Sequence, residues 1–377
     1  MIKLVNIKNE ENINIVNNII NYNAPEKIYV PVSNTEDFKL NDYVYKNTFI
    51  GENILSISGV ITDVNEILFN DKLVDCFVIE NDYKENSKIK HKKEQIKNIE
   101  DLKRVFEKYN LIEILNKVKE TSNVKNLVVT SIDEEIYSAK EFMRLSNNYR
   151  EILDTMDLLA NILSINKVVL AAKNTSFKSI KNVKSIIGSY PNIKINLVPD
   201  KYLISRNDFL CEYLNYKMEE TLILTTTDIF NIYNIVNGKS ITDNLITISG
   251  NAIKKSLVIN TKLGVLLKDL IKEYIEIIDD DYEIYINGYL NGKKTSKMNK
   301  MIITNDINYV VINKKENRVV SECINCGACM KICPYNINVK KCYFNKLSHK
   351  KCIGCGLCNF ICPSNIDLKK IVKSDSK

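Results

Sequence analysis

The cysteines toward the C-terminal end are the residues whose type and spacing could do chemistry. From Cys323 the chain reads C-I-N-C-G-A-C-M-K-I-C-P (323–334), and from Cys352 it reads C-I-G-C-G-L-C-N-F-I-C-P (352–363). Each run is C-x2-C-x2-C-x3-C-P. Three thiolates at spacing three, on a sharply turning backbone, wrap one corner of an iron–sulfur cubane, and Gly327 and Gly356 relieve the crowding there. The chemistry this implies is one-electron transfer through two 4Fe-4S clusters.

In a double motif of this kind, found in bacterial two-cluster ferredoxins, the fourth cysteine of each run ligates the other cluster. The expected ligand sets are therefore Cys323, Cys326, Cys329 and Cys362 for cluster 1, and Cys352, Cys355, Cys358 and Cys333 for cluster 2. Pro334 and Pro363 turn the chain away after each donated cysteine. A zinc ribbon would use two CxxC pairs and has no reason for a third and fourth Cys plus Pro in each half. A disulfide framework fits poorly with an odd total of 11 cysteines and with the absence of a secretory-type start. Cys342, between the motifs, reads as a spare cysteine, Cys211 as a helix-packing residue and Cys76 as a small buried hydrophobe.

These motifs must be carried by a larger body. At 377 residues with 45% apolar content, the chain has room for two or three packed domains. No run approaches the roughly 18–20 apolar residues of a membrane span, and the start, MIKLVNIKNEENINIV, is broken by charges where a signal peptide would be apolar. A cytoplasmic location is expected, with any membrane contact peripheral, and nothing resembles a nucleic-acid motif. The formal charge is +7; two thiolate-ligated clusters at about −2 each would bring it to about +3. Lys340, Lys341, Lys346, Lys350 and Lys351 gather beside the motifs. They read either as a docking patch for an acidic redox partner or as a solvated face that offsets cluster charge.

Residues 1–85, after a polar lead, read as a small β-sandwich: KIYVPVS, NDYVYKNTFIGE, ILSISGVITDV and LVDCFVIENDY alternate apolar and polar residues between polar turns. A charged stretch (84–98) containing His91 reads as an exposed linker, with His91 solvated. Residues 95–240 alternate helix and strand. EDLKRVFEKYNLIEILNKVKE (100–120) has the 3.6-residue period of one amphipathic helix. NLVVTSI, KVVLAA, IKINLVPD and LILTTT read as buried strands separated by helices, an α/β layer with a mainly parallel sheet. Residues 241–315 read as a β-grasp-like unit, and 316–377 as the cluster domain.

The order of these parts resembles the RnfC-like electron-transport family, including its proline-reductase-associated relatives. The segments that carry the resemblance are KIYVPVS with SGVI, CFVIEND, MRLSNNYREILDTMDLLANILSINKVVLAAKNT, LVPDKY, NIYNIVNGKSITDNLITISGNAIKKSLVINTKLGVLLKDLI and CPSNIDL. The resemblance implies a multidomain α/β and α+β chain: an N-terminal hammerhead-like module, a Rossmann-like domain related to flavin and NADH-binding subunits, an SLBB-type β-grasp and a two-cluster ferredoxin domain. Flavin-binding members carry a glycine-rich G-x-G-G-A-G-F-P loop and an acidic E-C-E-P-Y segment. Here FEKYNLIEILNKVKE (106–120) stands at the loop, no glycine lies between Gly59 and Gly188, and the acidic segment is Asp133-Glu134-Glu135-Ile136-Tyr137. Thr225 stands where an Asn is expected. A phosphate cradle needs backbone N–H groups close to the ligand, and side chains at those positions block the approach. FMN and NADH are therefore expected to be absent. Asp133, Glu134 and Glu135 are read as a solvated cluster at a helix start, where carboxylates are favoured.

The function expected from this reading is an electron carrier, or a subunit of an oxidoreductase, that passes single electrons to or from a reductase, a ferredoxin or a membrane electron-transport complex. The proline-reductase-associated branch fits the missing glycine loop better than the main membrane-complex subunit. Two other classes compete: a flavin-dependent NADH oxidoreductase subunit, which flavin content would reveal, and a docking or assembly protein whose clusters are structural, which reversible reduction would exclude.

Overall fold

The computed structural model describes residues 15–32, 38–69, 72–88, 92–120, 124–315 and 319–373. His91 lies outside these residues. The chain opens with β1 (Ile15–Tyr22), β2 (Lys27–Pro31), β3 (Tyr43–Val44), β4 (Phe49–Ile50), β5 (Asn53–Ile54), β6 (Gly59–Phe69) and β7 (Lys72–Asn81). Four of these make an antiparallel sheet in the order β2-β7-β6-β3, and β4 pairs with β5. Alternation places Ile28, Val30, Ile61, Phe77 and Ile79 inward, and all five are buried as the two-residue period of a strand requires.

Next come α1 (Ile99–Lys108), α2 (Ile112–Glu120), β8 (Asn126–Thr130), α3 (Lys140–Ile162), β9 (Lys167–Lys173), α4 (Phe177–Ile186), β10 (Ile193–Val198), α5 (Asn207–Leu214), β11 (Thr221–Thr225) and α6 (Thr226–Val236). The strands form a parallel sheet in the order β10-β9-β8-β11. Leu127, Val129, Leu170 and Leu224 sit in the core on one face of this sheet and Val128, Val169 and Ala171 on the other, which is why the strands read as continuous apolar runs. The single helix expected over 100–120 is two helices. Asn110 takes a left-handed conformation (φ 56°), and Asn is among the few side chains that tolerate it, so the chain turns there and restarts at Ile112. α3, whose periodicity over NNYREILDTMDLLANILSI suggests a helix at 147–165, starts earlier and kinks at Asn148.

The third unit contains β12 (Asp243–Ser249), β13 (Ser256–Lys262), α7 (Leu267–Tyr274), β14 (Tyr282–Ile286), β15 (Lys293–Thr295) and β16 (Tyr309–Lys314). Its sheet order is β1-β13-β12-β16-β14-β15, with β12 parallel to β16 at the centre. The stretch read as a polar lead is corrected here. β1 adds to this sheet parallel to β13, with Ile20 opposite Ile259 and Tyr22 opposite Thr261, so residues 15–22 do not belong with the rest of 1–85. The boundary between those units is also less sharp than expected, because Ile28, Val44, Ile57 and Ile79 share one buried core with Ile246, Ile259, Leu267 and Ile312. The chain closes with four short helices, α8 (Ala328–Ile332), α9 (Val339–Asn345), α10 (Leu357–Phe360) and α11 (Leu368–Val372).

Candidate iron-sulfur centres and the adjoining cavity

The terminal unit is built twice from one local plan. Gly327 and Gly356, at φ 72° and 77°, stand before α8 and α10, in the left-handed region that glycine adopts without penalty. After each donated cysteine the chain turns through a left-handed Asn, Asn336 or Asn365. The following helix is capped by Asn338, which accepts from the Lys341 N–H, or by Asp367, which accepts from the Lys370 N–H. The repeated spacing thus produces repeated backbone geometry.

This geometry brings the eight cysteines together as two sets of four. Cys323, Cys326, Cys329 and Cys362 line one small cavity, and Cys333, Cys352, Cys355 and Cys358 line a second. In each case the fourth cysteine comes from the other motif. The other lining residues are largely apolar, with Ile366 and Leu368 at the first and Ile337 and Val372 at the second, beside Lys340 and Lys369 respectively. Burial, then the neighbouring Cys355 and Cys352, push the Cys358 thiol up to about 12, and burial raises Cys329 and Cys355 too. Four clustered thiols cannot ionise together without cationic charge, so the donor set fits an iron core that draws the protons off. The Ile337 N–H donates to Cys333 Sγ at 3.4 Å, the type of contact that tunes a ligating sulfur.

The two sets differ in their surroundings. Cys326 is exposed, and a side chain at Gly327 would meet only Met330 Cε at 3.5 Å. The other set faces the body of the protein. A Cβ at Gly356 would stand 2.3 Å from the Leu290 carbonyl oxygen, so only glycine permits this approach. Tyr202 Oη donates to the Cys355 carbonyl at 2.9 Å, Asn291 Nδ2 donates to Tyr202 Oη at 3.0 Å, and Lys369 Nζ donates to Asn291 Oδ1 at 3.3 Å. Leu203, Phe209, Leu290 and Leu357 fill the joint with apolar surface. Glu135 anchors the same loop from behind, accepting from the Leu290 N–H at 3.2 Å and the Asn291 N–H at 3.1 Å. Burial raises its carboxyl to about 7 against the opposing pull of those N–H groups.

A cavity of about 910 Å³ opens between the parallel sheet, the N-terminal module and the third unit. It lies beyond the carboxyl ends of β8 and β11, the end of an open parallel α/β sheet at which ligands bind. Its lining mixes cations and carboxylates, among them Lys117, Lys140, Arg144, Glu141 and Asp228. Lys108, Tyr109, Asn110, Leu111, Ile112 and Glu113, from the turn between α1 and α2, form part of its edge. The N-terminus of α6, which could hold an anion, is taken by Glu141, whose Oε2 accepts from Thr226 Oγ1 at 2.7 Å and from the Thr227 N–H at 2.8 Å. Lys117 is paired with Asp228 at 3.2 Å and Glu113 at 3.3 Å.

A model of the 4Fe-4S dicluster domain matches residues 301–366. The C subunit of the ion-translocating oxidoreductase complex of Buchnera aphidicola (Acyrthosiphon pisum strain) is 27% identical over 232 residues, 58% of this chain and 49% of that protein. Over the matched residues the chain is similar to these C subunits. The same component from the Baizongia pistaciae strain is 24% identical over 59% of this chain and 46% of that protein, and that of Haemophilus influenzae (strain 86-028NP) 24% over 60% and 36%. The chain spans half or less of the length of these relatives. Among solved structures, a chain of a NAD+-reducing NiFe hydrogenase in the H2-reduced state superposes with a TM-score of 0.45 at 14% identity, covering 53% of this chain and 43% of that one. Among the described residues no helix is long and apolar enough to cross a membrane.

The remaining sequence candidates fall as follows. Asp133 and Glu135 are buried, which corrects the reading of a solvated cluster; only Glu134 is exposed. Asp133 does stand at a helix start, accepting from the Glu141 N–H at 3.0 Å and the Phe142 N–H at 3.4 Å, and burial followed by the Glu141 charge raises it to about 6. Cys342 packs inside the terminal unit, Cys211 inside α5 and Cys76 inside β7. Tyr202, Asn291, Lys369 and Glu141 carry no motif that sequence reasoning could have singled out. The Y-L-N-G run around Leu290 is the one local signal of a tight approach.

Proposed function

We propose that this protein is an electron-transfer protein that passes single electrons through two 4Fe-4S clusters, held by Cys323, Cys326, Cys329 and Cys362 and by Cys333, Cys352, Cys355 and Cys358. The observation that carries this reading is the sorting of eight cysteines into two small cavities, four to each. When bound, each cluster supplies a one-electron redox couple. The chain's own part is to fix the thiolates, to aim N–H groups such as that of Ile337 at sulfur, and to keep one set at the surface and the other against the body. The reading needs no general acid, base or nucleophile.

FMN and NADH are absent from this function, because the cavity edge lacks a phosphate cradle and its α6 terminus is held by Glu141. The partner is another redox protein. An ion-translocating oxidoreductase complex, named for the relatives, is one such partner, with the chain peripheral on the cytoplasmic face; a reductase of the proline-reductase kind is the other, favoured by the missing loop. The N-terminal module is read as hammerhead-like, the parallel-sheet unit as a degenerate Rossmann-like domain and the third unit as an SLBB-type β-grasp, all serving as scaffold. The test is reduction of the anaerobically purified protein: dithionite or a reduced low-potential ferredoxin bleaches the clusters and NADH alone does not. Stoichiometric FMN, or rapid bleaching by NADH, would overturn this and favour the flavin-dependent oxidoreductase.

A further inference from the structure

The protein's excess positive charge is concentrated on one unit. Residues 319–373 hold nine lysines against two carboxylates, Glu322 and Asp367, a surplus of seven that equals the +7 of the whole chain. The rest of the molecule is balanced. Two clusters at about −2 each leave this unit cationic by about three charges. Lys340, Lys341, Lys346, Lys350 and Lys351 form no ion pair among the described residues, whereas many lysines of the body do, such as Lys117 with Asp228 and Lys254 with Glu276.

Exposed apolar groups accompany these lysines. Ile324, between two cysteines of the outer set, is 65% exposed, Phe344 54% and Leu347 51%. Ile324, Lys340 and Tyr343 all line the outer cysteine cavity, and Phe344 packs edge-on against Tyr343 with ring centroids 5.2 Å apart. An apolar centre rimmed by like charges is the make-up of a transient docking face, in which charge steers the encounter and apolar contact seats it. At the inner set, Cys355 and Gly356 instead face Leu290, Tyr202 and Asn291 of the body.

We infer that the surface around Ile324, Lys340 and Phe344 is the docking site for an acidic one-electron carrier protein, so that electrons cross between molecules at cluster 1 and not at cluster 2. This rests on the two-cluster reading above. A carrier seated here approaches the exposed Cys326, and the lysines neutralise its carboxylates as the complex forms. The partner's chemistry follows from the face: a protein with an acidic rim around its own redox group.

The test is equilibrium binding of oxidised flavodoxin, a small acidic carrier, to the full cluster-loaded chain, followed by the rate at which flavodoxin hydroquinone is oxidised by it. The expected result is binding that weakens at least tenfold between low and high salt, and again in Lys340→Glu/Lys341→Glu and in Ile324→Glu. Lys194→Glu, at an exposed position of β10, should bind as the parent does, and the extent of dithionite bleaching should be equal in all variants. Binding insensitive to salt and to these substitutions would overturn the inference, as would capture by phosphatidylglycerol vesicles with no affinity for flavodoxin, which would make the face a membrane surface. A protein that dithionite does not bleach would instead fail the two-cluster reading itself.

Discussion

The hydroxyl of Tyr202 donates a hydrogen bond to the backbone carbonyl of Cys355 across 2.9 Å, tying the α/β body to the loop that carries the inner cysteine set. Tyr202 is buried, and burial followed by the Glu135 charge holds its phenol far above its usual pKa, so it acts as a neutral donor at any working pH. Tyr202→Phe should leave iron content unchanged, because no ligand is touched. It should lower the protection of amides 353–357 against hydrogen exchange by an amount corresponding to about 1 kcal/mol, the net worth of one hydrogen bond. Unchanged protection would mean that the apolar joint of Leu203, Leu290 and Leu357 holds the loop alone.

Glu135 gives the joint a pH dependence of definite sign. Its carboxyl lies at about 7 in the folded chain against about 4.3 unfolded, so across that window the folded state binds more protons. Its contribution to stability is complete below the unfolded value and is lost as pH rises through about 7. Asp133, raised to about 6, acts in the same direction. The melting temperature should therefore fall as pH rises from about 5 to about 8, and Glu135→Gln should flatten part of that fall. An identical slope in the variant would show that Glu135 is not the group responsible.

What could be read from the sequence, and what could not, divides by the range of the interactions involved. The cysteine runs are legible because a cubane corner is made by residues three apart, and the parallel sheet is legible because each buried strand is a continuous apolar run. The pairing of Ile20 with Ile259 is not legible: β1 looks polar on its own, and its partner lies more than two hundred residues away. The same holds for Glu135, which looks like part of a solvated acidic run until Leu290 and Asn291 close over it. The turn at Asn110 escaped because the apolar period continues across it, and only the backbone conformation reveals the break.

The crossed ligation has its own signature. Cys333→Ser should damage the cluster of Cys352, Cys355 and Cys358, and Cys362→Ser that of Cys323, Cys326 and Cys329, as read from paramagnetic spectra of the reduced variants. Cys342→Ser, at a residue that lines neither cavity, should retain the full iron content. Damage confined to the motif that holds the substituted cysteine would reverse the wiring.

If eight of the 11 cysteines exist to hold two cubanes, iron and acid-labile sulfide in the anaerobically purified protein report it most directly. About eight of each per chain are expected. One or two zinc ions with no sulfide would contradict the two-cluster assignment.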